Sequence, residues 1–248
     1  MPLLFHSSPT LEQTGKVTRF APSPTGHLHL GHAYAACVAA DTARASHGRF
    51  LLRLEDIDKG RCRAEYEQSI IEDLNWLGLI WDQPIMKQST RYPAYEEAIG
   101  RLRDLDLIYP CFCTRTDIRL EVERAGAAPH GPHGALYPGT CRTLGSEEIR
   151  ERIDAGDTYA MRLKMIEAIN LAGSLTWVDA SRGTIEANPG IFGDIILSRK
   201  DSPASYHLAV TVDDQDQNIT LVTRGNDLFQ STHVHRLLQA LLGFNTPN

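Results

Sequence analysis

The sequence predicts an α/β fold built on a parallel sheet, and three observations predict it. Short apolar runs alternate with longer stretches of helical periodicity through the first part of the chain. The first apolar run ends in a turn rich in proline and glycine, placed where the loops at the carboxyl ends of parallel strands form a ligand crevice. With 248 residues, 42% of them hydrophobic, the chain can bury a proper core as one large domain or as one domain carrying an insertion.

Val17-Thr-Arg-Phe20 reads as a strand stopped by Ala21-Pro-Ser-Pro-Thr-Gly26, where two prolines and a glycine end regular pairing. A helix is expected from near Gly31 through an alanine-rich stretch to His47, and Phe50 to Leu54 is a second strand. Glu65 to Leu77 places Tyr66, Ile70, Leu74 and Leu77 on one helix face, and Tyr92 to Leu105 reads as a further helix. From about Ile108 the character changes: Cys111-Phe-Cys113 is followed by a loop rich in Gly, Pro and His from Gly126 to Gly139, then by helical and short β pieces to about Pro189. Ile191 to Leu197, Tyr206 to Val212 and Ile219 to Thr223 read as strands, and Ser231 to Leu242 as a helix. The expected organisation is a flexible leader over 1–15, the first half of a nucleotide-binding domain over 16–107, an inserted subdomain over 108–190 and the second half over 191–248.

No apolar run approaches the roughly 18 residues that span a bilayer, and Met1 to Gly15 is too polar for a secretory signal. The cysteines are Cys37, Cys62, Cys111, Cys113 and Cys141; an odd number without an export signal points to reduced thiols in the cytoplasm. A net charge of −6 gives no general attraction for nucleic acid, so any RNA contact needs a local basic patch. Arg115, Arg119, Arg142, Arg162 and Lys164 are the candidates.

The segment Arg19-Phe-Ala-Pro-Ser-Pro-Thr-Gly-His-Leu-His-Leu-Gly-His32 carries the chemistry. It sets two imidazoles, His29 and His32, around Gly31 at a strand-to-helix junction, where free backbone N–H groups and the helix dipole favour anions. Imidazoles there can donate to phosphate oxygens as charge builds during attack at phosphorus. The whole string resembles the first signature of class I aminoacyl-tRNA synthetases in the form used by the glutamyl group. Phe50-Leu-Leu-Arg-Leu-Glu-Asp-Ile-Asp58, Tyr206-His-Leu-Ala-Val-Thr-Val-Asp-Asp214 and Val222-Thr-Arg-Gly-Asn-Asp-Leu228 resemble later blocks of that group. Tyr109-Pro-Cys-Phe-Cys113 and Tyr137-Pro-Gly-Thr-Cys-Arg142 resemble the zinc-bearing insertion of glutamyl-queuosine synthetases.

The resemblance implies a Rossmann-like parallel-sheet nucleotide-binding domain with an inserted zinc-containing α+β subdomain. It implies activation of L-glutamate with ATP and Mg²⁺, and transfer to the queuosine base of tRNA(Asp) by a cytoplasmic monomer. Arg19 and Arg224 would face the substrate carboxylates, since a planar guanidinium can hold a carboxylate bidentately, with Tyr206 adding a hydroxyl. Glu55 would hold the ammonium, and Ala21 and Ser23 would line the amino-acid site. His29 and His32 would be catalytic and, with Gly31, Asn226 and Asp227, would contact ATP. Asp56, Asp58, Asp213 and Asp214 are expected to cap helices or face solvent.

Cys111, Cys113 and Cys141 are three thiolates that can converge on a structural zinc ion. Chemistry alone leaves His130, His133 and Tyr137 open as the fourth ligand. The family pattern favours Tyr137, with His133 as the alternative. Cys37 is expected in the core and Cys62 in a loop. The second class I signature, a lysine-rich loop, is not found before the chain stops at Pro247-Asn248; Ile196-Leu-Ser-Arg-Lys200 has only a passing likeness to it. Two other functions are therefore set beside the first: a catalytic fragment of a glutamyl-tRNA synthetase charging tRNA(Glu), and a binding module without chemistry.

Overall fold

The computed structural model describes residues 15–124, 130–132, 134–199 and 202–248. Strand β1 (Val17–Phe20), helix α1 (Leu30–Ala45), strand β2 (Arg49–Leu54), helix α2 (Ala64–Trp76) and strand β3 (Asp82–Lys87) follow in alternation. The strands pair in the order β1-β2-β3, all parallel, as the sequence predicts. One face of this sheet carries the helices. Phe50, Leu52 and Leu54 of β2 share an apolar cluster with Ala36, Ala39, Ala40 and Ala43 of α1 and with Ile70 and Leu74 of α2. The small alanines let α1 approach the sheet closely. Side chains alternate along a strand, so Arg19, Leu51 and Arg53 lie on the opposite face.

The chain continues through α3 (Tyr92–Asp104), β4 (Ile108–Cys111), α4 (Arg115–Arg124), the two-residue strands β5 (His130–Gly131) and β6 (Gly134–Ala135), α5 (Ser146–Asp154), β7 (Ala160–Leu163) and α6 (Met165–Ala172). A hairpin of β8 (Thr176–Asp179) and β9 (Gly183–Glu186) then leads to β10 (Ile196–Arg199), α7 (Tyr206–Asp216) and α8 (Ser231–Leu242). β10, β7 and β4 form a separate antiparallel sheet in that order. The largest apolar cluster joins Tyr95 and Leu102 of α3, Leu163 of β7, Leu197 of β10, Leu208 of α7 and Leu237 of α8. No helix among the described residues is long and apolar enough to cross a membrane.

Three expected elements are corrected. Tyr206 to Val212 is not a strand but the first two turns of α7. Ser205 caps it by accepting from the Leu208 N–H, and residues 208–214 are all buried. A helix covered on every side shows no amphipathic period, so a run such as Leu-Ala-Val-Thr-Val mimics a buried strand. Ile191 to Leu197 divides into a 3₁₀ turn at Pro189–Phe192 and strand β10. Ile219 to Thr223 forms no strand; the Thr220 and Leu221 N–H groups both donate to the Val17 carbonyl beside β1. β3 was not foreseen, because Asp82-Gln-Pro-Ile-Met-Lys87 is polar and contains a proline, as suits an outer strand. Of the leader over 1–15 only Gly15 is among the described residues; Gly126 to Pro129, His133, Lys200 and the side chain of His130 lie outside them.

Candidate active site

The turn after β1 is fixed to its surroundings by backbone. Glu55 N–H donates to the Pro22 carbonyl and Arg63 N–H to the Pro24 carbonyl, each at 3.0 Å. The turn delivers the chain to the N-terminus of α1, where the two imidazoles form a capping box. His29 Nδ1 accepts from the Gly31 N–H at 3.1 Å, and His32 Nδ1 accepts from the His29 N–H at 3.3 Å. The rings stack with centroids 3.8 Å apart. A Cβ on Gly31 would meet His29 Cε1 at 3.0 Å, so glycine makes room for this stack. Because both Nδ1 atoms accept, each neutral ring carries its proton on Nε2 and can donate outward. Burial, and then the charge of His29, lowers the pKa of His32, which favours this neutral form.

Behind the turn lies a network the sequence did not reveal. Asp214, expected to cap a helix or face solvent, is 6% exposed and sits between two buried arginines. Arg19 Nε donates to it at 2.9 Å and Nη2 at 3.4 Å, while Arg53 Nη2 donates at 2.8 Å. Burial opposes the Asp214 carboxylate, but Arg19 and Arg53 outweigh burial and hold its pKa at about 2. Arg19 also donates from Nη1 to the Thr223 carbonyl, and Arg53 to Gln217. Asp213 is likewise buried, accepting from Gln88, Tyr95 and Arg91. Asp56 does cap a helical turn, accepting from the Ser89 N–H and hydroxyl, and Asp58 is exposed in a turn with Arg61.

Glu55 follows β2, its side chain 13% exposed and 3.8 Å from Arg53. Burial pushes its pKa up to about 7; Arg53 and Arg19 pull it down, and Asp214 adds to the rise. Glu55, Ser23 and Tyr206 line one cavity of about 310 Å³ together with Gln88 and Arg199. Arg224 and Asn226 line another, of about 720 Å³, with Asp214, Phe229 and His235. Arg224 donates to His235 Nδ1 at 2.8 Å, and its Nε is buried with no hydrogen-bond partner among the described residues. Asn226 Oδ1 accepts from Arg182 of the β8–β9 hairpin, whose guanidinium lies 4.0 Å from the Phe229 ring. Asp227 occupies the same exposed 3₁₀ turn, and Ala21 is half-buried. His29 and His32 line neither cavity.

Signals for the missed residues existed. Arg53 interrupts an apolar strand, and Asp213-Asp214 close an apolar run; charges there need partners.

The sulfurs of Cys111, Cys113 and Cys141 all lie within 4.8 Å of one another. Cys113 and Cys141 are 3.4 Å apart, close to the ~3.8 Å that tetrahedral zinc with ~2.3 Å bonds to sulfur would impose. The Tyr137 hydroxyl stands 3.5 Å from Cys113 Sγ and accepts from the Cys141 N–H at 2.8 Å. The Arg162 guanidinium covers the Tyr137 ring at 3.8 Å. Of the basic residues considered for RNA, Arg162 is therefore buried, Arg142 pairs with Glu167 and Asp194, and Lys164 pairs with Asp106. Cys37 is half-buried against the α1 cluster, and Cys62 approaches the Glu55 carbonyl.

A parallel sheet, paired imidazoles at the first helix and a buried cluster of arginines and carboxylates accompany a class I synthetase match. Residues 16–248 match the family described as tRNA synthetases class I (E and Q), catalytic domain, and the chain belongs to that family. Among particular relatives, it is 45% identical to the glutamyl-Q tRNA(Asp) synthetase of Rhodobacter capsulatus over 93% of this chain and 84% of that protein. It is 39% identical to the glutamate–tRNA ligase of a Hydrogenobaculum species, over 93% of this chain but 48% of that one. The crystal structure of a glutamate tRNA ligase from Elizabethkingia meningosepticum in complex with its amino acid superposes with a TM-score of 0.81 at 30% identity, covering 94% of this chain and 48% of that one.

Proposed function

We propose that the chain activates L-glutamate with ATP and transfers it to the queuosine base of tRNA(Asp). The observation that carries this choice is the 45% identity to a glutamyl-Q tRNA(Asp) synthetase across nearly the whole chain. Arg224 and the free N–H groups of Arg19 receive the substrate carboxylates, Tyr206 adds its hydroxyl, and Ala21 and Ser23 line the site. Glu55 ionises when the substrate ammonium arrives. The α-carboxylate attacks the α-phosphorus of ATP and displaces pyrophosphate, leaving glutamyl-adenylate. The outward Nε2–H groups of His29 and His32 donate to the phosphate oxygens as charge develops, with Gly31, Asn226 and Asp227 completing the nucleotide contacts. A hydroxyl of the modified base then attacks the activated carbonyl and releases AMP. Positioning and electrostatics carry the rate, with no protein nucleophile.

Mg²⁺ supplies charge neutralisation on the phosphates and comes with ATP. Three cysteines and a tyrosine suit zinc, with Cys111, Cys113, Cys141 and Tyr137 as its ligands; a closed shell of four protein atoms makes the ion structural. The protein acts as a monomer in the cytoplasm, where its thiols stay reduced.

The test supplies labelled glutamate, ATP and three RNAs: tRNA(Asp) with queuosine, tRNA(Asp) without it, and tRNA(Glu). Label on the queuosine-containing RNA alone is expected. Label on tRNA(Glu) instead, or no glutamate-dependent pyrophosphate exchange, would overturn the proposal. Metal analysis of the purified chain is expected to give one zinc per protein, lost on Cys141→Ser.

A further inference from the structure

A second histidine pair lies in the protein, away from α1. His235 of α8 is 3% exposed and His207 stands opposite it on α7. Arg224 Nη1 and His235 Nδ1 are 2.8 Å apart, and His235 Nε2 and His207 Nδ1 are 3.2 Å apart. The proton count along this line has one solution. A guanidinium can only donate, so His235 Nδ1 must accept; His235 then carries its proton on Nε2 and gives it to His207 Nδ1. The other hydrogen-bond partner of Arg224 among the described residues is the Thr232 hydroxyl at 3.5 Å. Although Asp214 and Glu55 act on Arg224 electrostatically from further off, no carboxylate among the described residues forms a direct ion pair with it.

We infer that His235, held in its neutral Nε2–H tautomer by His207, is a positioning residue that aims Arg224 without neutralising it. The cation is thereby kept for the substrate carboxylate, and the pocket distinguishes glutamate from the uncharged glutamine. A carboxylate at this position would orient Arg224 equally well and consume its charge. An imidazole supplies an acceptor and nothing more. Burial agrees with the assignment: it lowers the His235 pKa well below the ordinary value, and the facing charges of Arg224, His207 and Arg19 lower it further.

The inference rests on the reading of Arg224 as a carboxylate receptor, and the test separates the two. Three variants of the whole chain are compared: His235→Asn, which can place a neutral oxygen where Nδ1 lies; His235→Asp, of the same shape but charged; and His235→Leu, which has no acceptor. Glutamate and ATP KM values come from pyrophosphate exchange, and glutamate and glutamine affinities from calorimetry. His235→Leu and His235→Asp are expected to raise the glutamate KM roughly tenfold or more, the size of one hydrogen bond to a charged group. The ATP KM stays within about twofold, as expected when only the amino-acid contact is lost. His235→Asn recovers most of the loss. Equal glutamate affinity in the Asn and Asp variants, or parallel loss of glutamate and ATP affinity, would overturn the inference. Nitrogen NMR of the wild-type imidazoles decides independently of activity: an Nδ1–H or doubly protonated His235 refutes it. A wild-type chain that binds no glutamate sinks the functional reading alone, while the tautomer and the protection of the Arg224 N–H signals in the Asn and Leu variants still decide the positioning role.

Discussion

Arg19 on the sheet face and Arg224 at the α7–α8 corner belong to one network but meet opposite surroundings. Arg19 is gripped by Asp214 through two nitrogens and by the Thr223 carbonyl through the third. Arg224 has a neutral imidazole, a distant hydroxyl and an Nε with no hydrogen-bond partner among the described residues. Buried charge needs a counter-charge: the sheet face supplies one in direct contact, while at the helix corner Asp214 and Glu55 act on Arg224 only from a distance. The first region is built to hold shape. The second is built to wait for an anion.

The largest expected effect breaks the sheet face. Asp214→Asn leaves Arg19 and Arg53 buried without their shared carboxylate, and removal of one partner from a buried ion pair costs about 3–5 kcal/mol. Chemical denaturation should show that loss at neutral pH. In the wild type the part of this contribution that depends on the carboxylate charge should fade in acid. Folding lowers the Asp214 pKa from 3.8 to about 2, so the stabilisation is complete above about pH 4 and disappears as the pH falls towards 2. A variant as stable as the wild type would show that the two regions do not differ.

Arg224→Leu tests the other half of the contrast. Replacing a partly buried cation that has no ion pair removes a desolvation cost, so the thermal midpoint should stay the same or rise. Glutamate-dependent pyrophosphate exchange should fall by roughly 10²-fold or more, the cost of losing a buried charged contact to a ligand. Joint loss of stability and activity would give Arg224 a structural share as well, like the Asp214-paired side of Arg19.

The contrast also explains what could be read without coordinates. β1, α1, β2, α2, α3 and α8 were legible because each has one buried face or a short apolar run between clear breakers. The residue string from Arg19 to His32 likewise announced a strand, a tight turn and a helix start, though not the capping box the two imidazoles form there. α7 mimics a strand because it is buried all round, and β3 escapes the pattern because an outer strand can be polar. At the site, the cysteines and imidazoles stood out by spacing. Asp214 did not, since its partners Arg19 and Arg53 are 195 and 161 residues away and nothing local connects them.

Glu55 lies between the two regions and sharpens the comparison at the smallest scale. Burial raises its pKa from 4.5 to about 7. The native chain therefore holds this proton more tightly than the unfolded one, and the carboxylate costs stability increasingly as the pH rises from about 4.5 to 7. Glu55→Gln should relieve that cost by on the order of 1–3 kcal/mol at pH 8 and by nothing near pH 4. It should also abolish the ionised partner for the substrate ammonium. In the wild type only the deprotonated form can receive that ammonium, so the apparent glutamate KM should rise roughly tenfold from pH 8 to pH 6. The ATP KM should not follow it. A flat glutamate KM across this range, or a Glu55→Gln chain less stable than the wild type at pH 8, would place Glu55 with Asp214 among the groups that hold the sheet face, rather than with Arg224 among those left incomplete for a ligand.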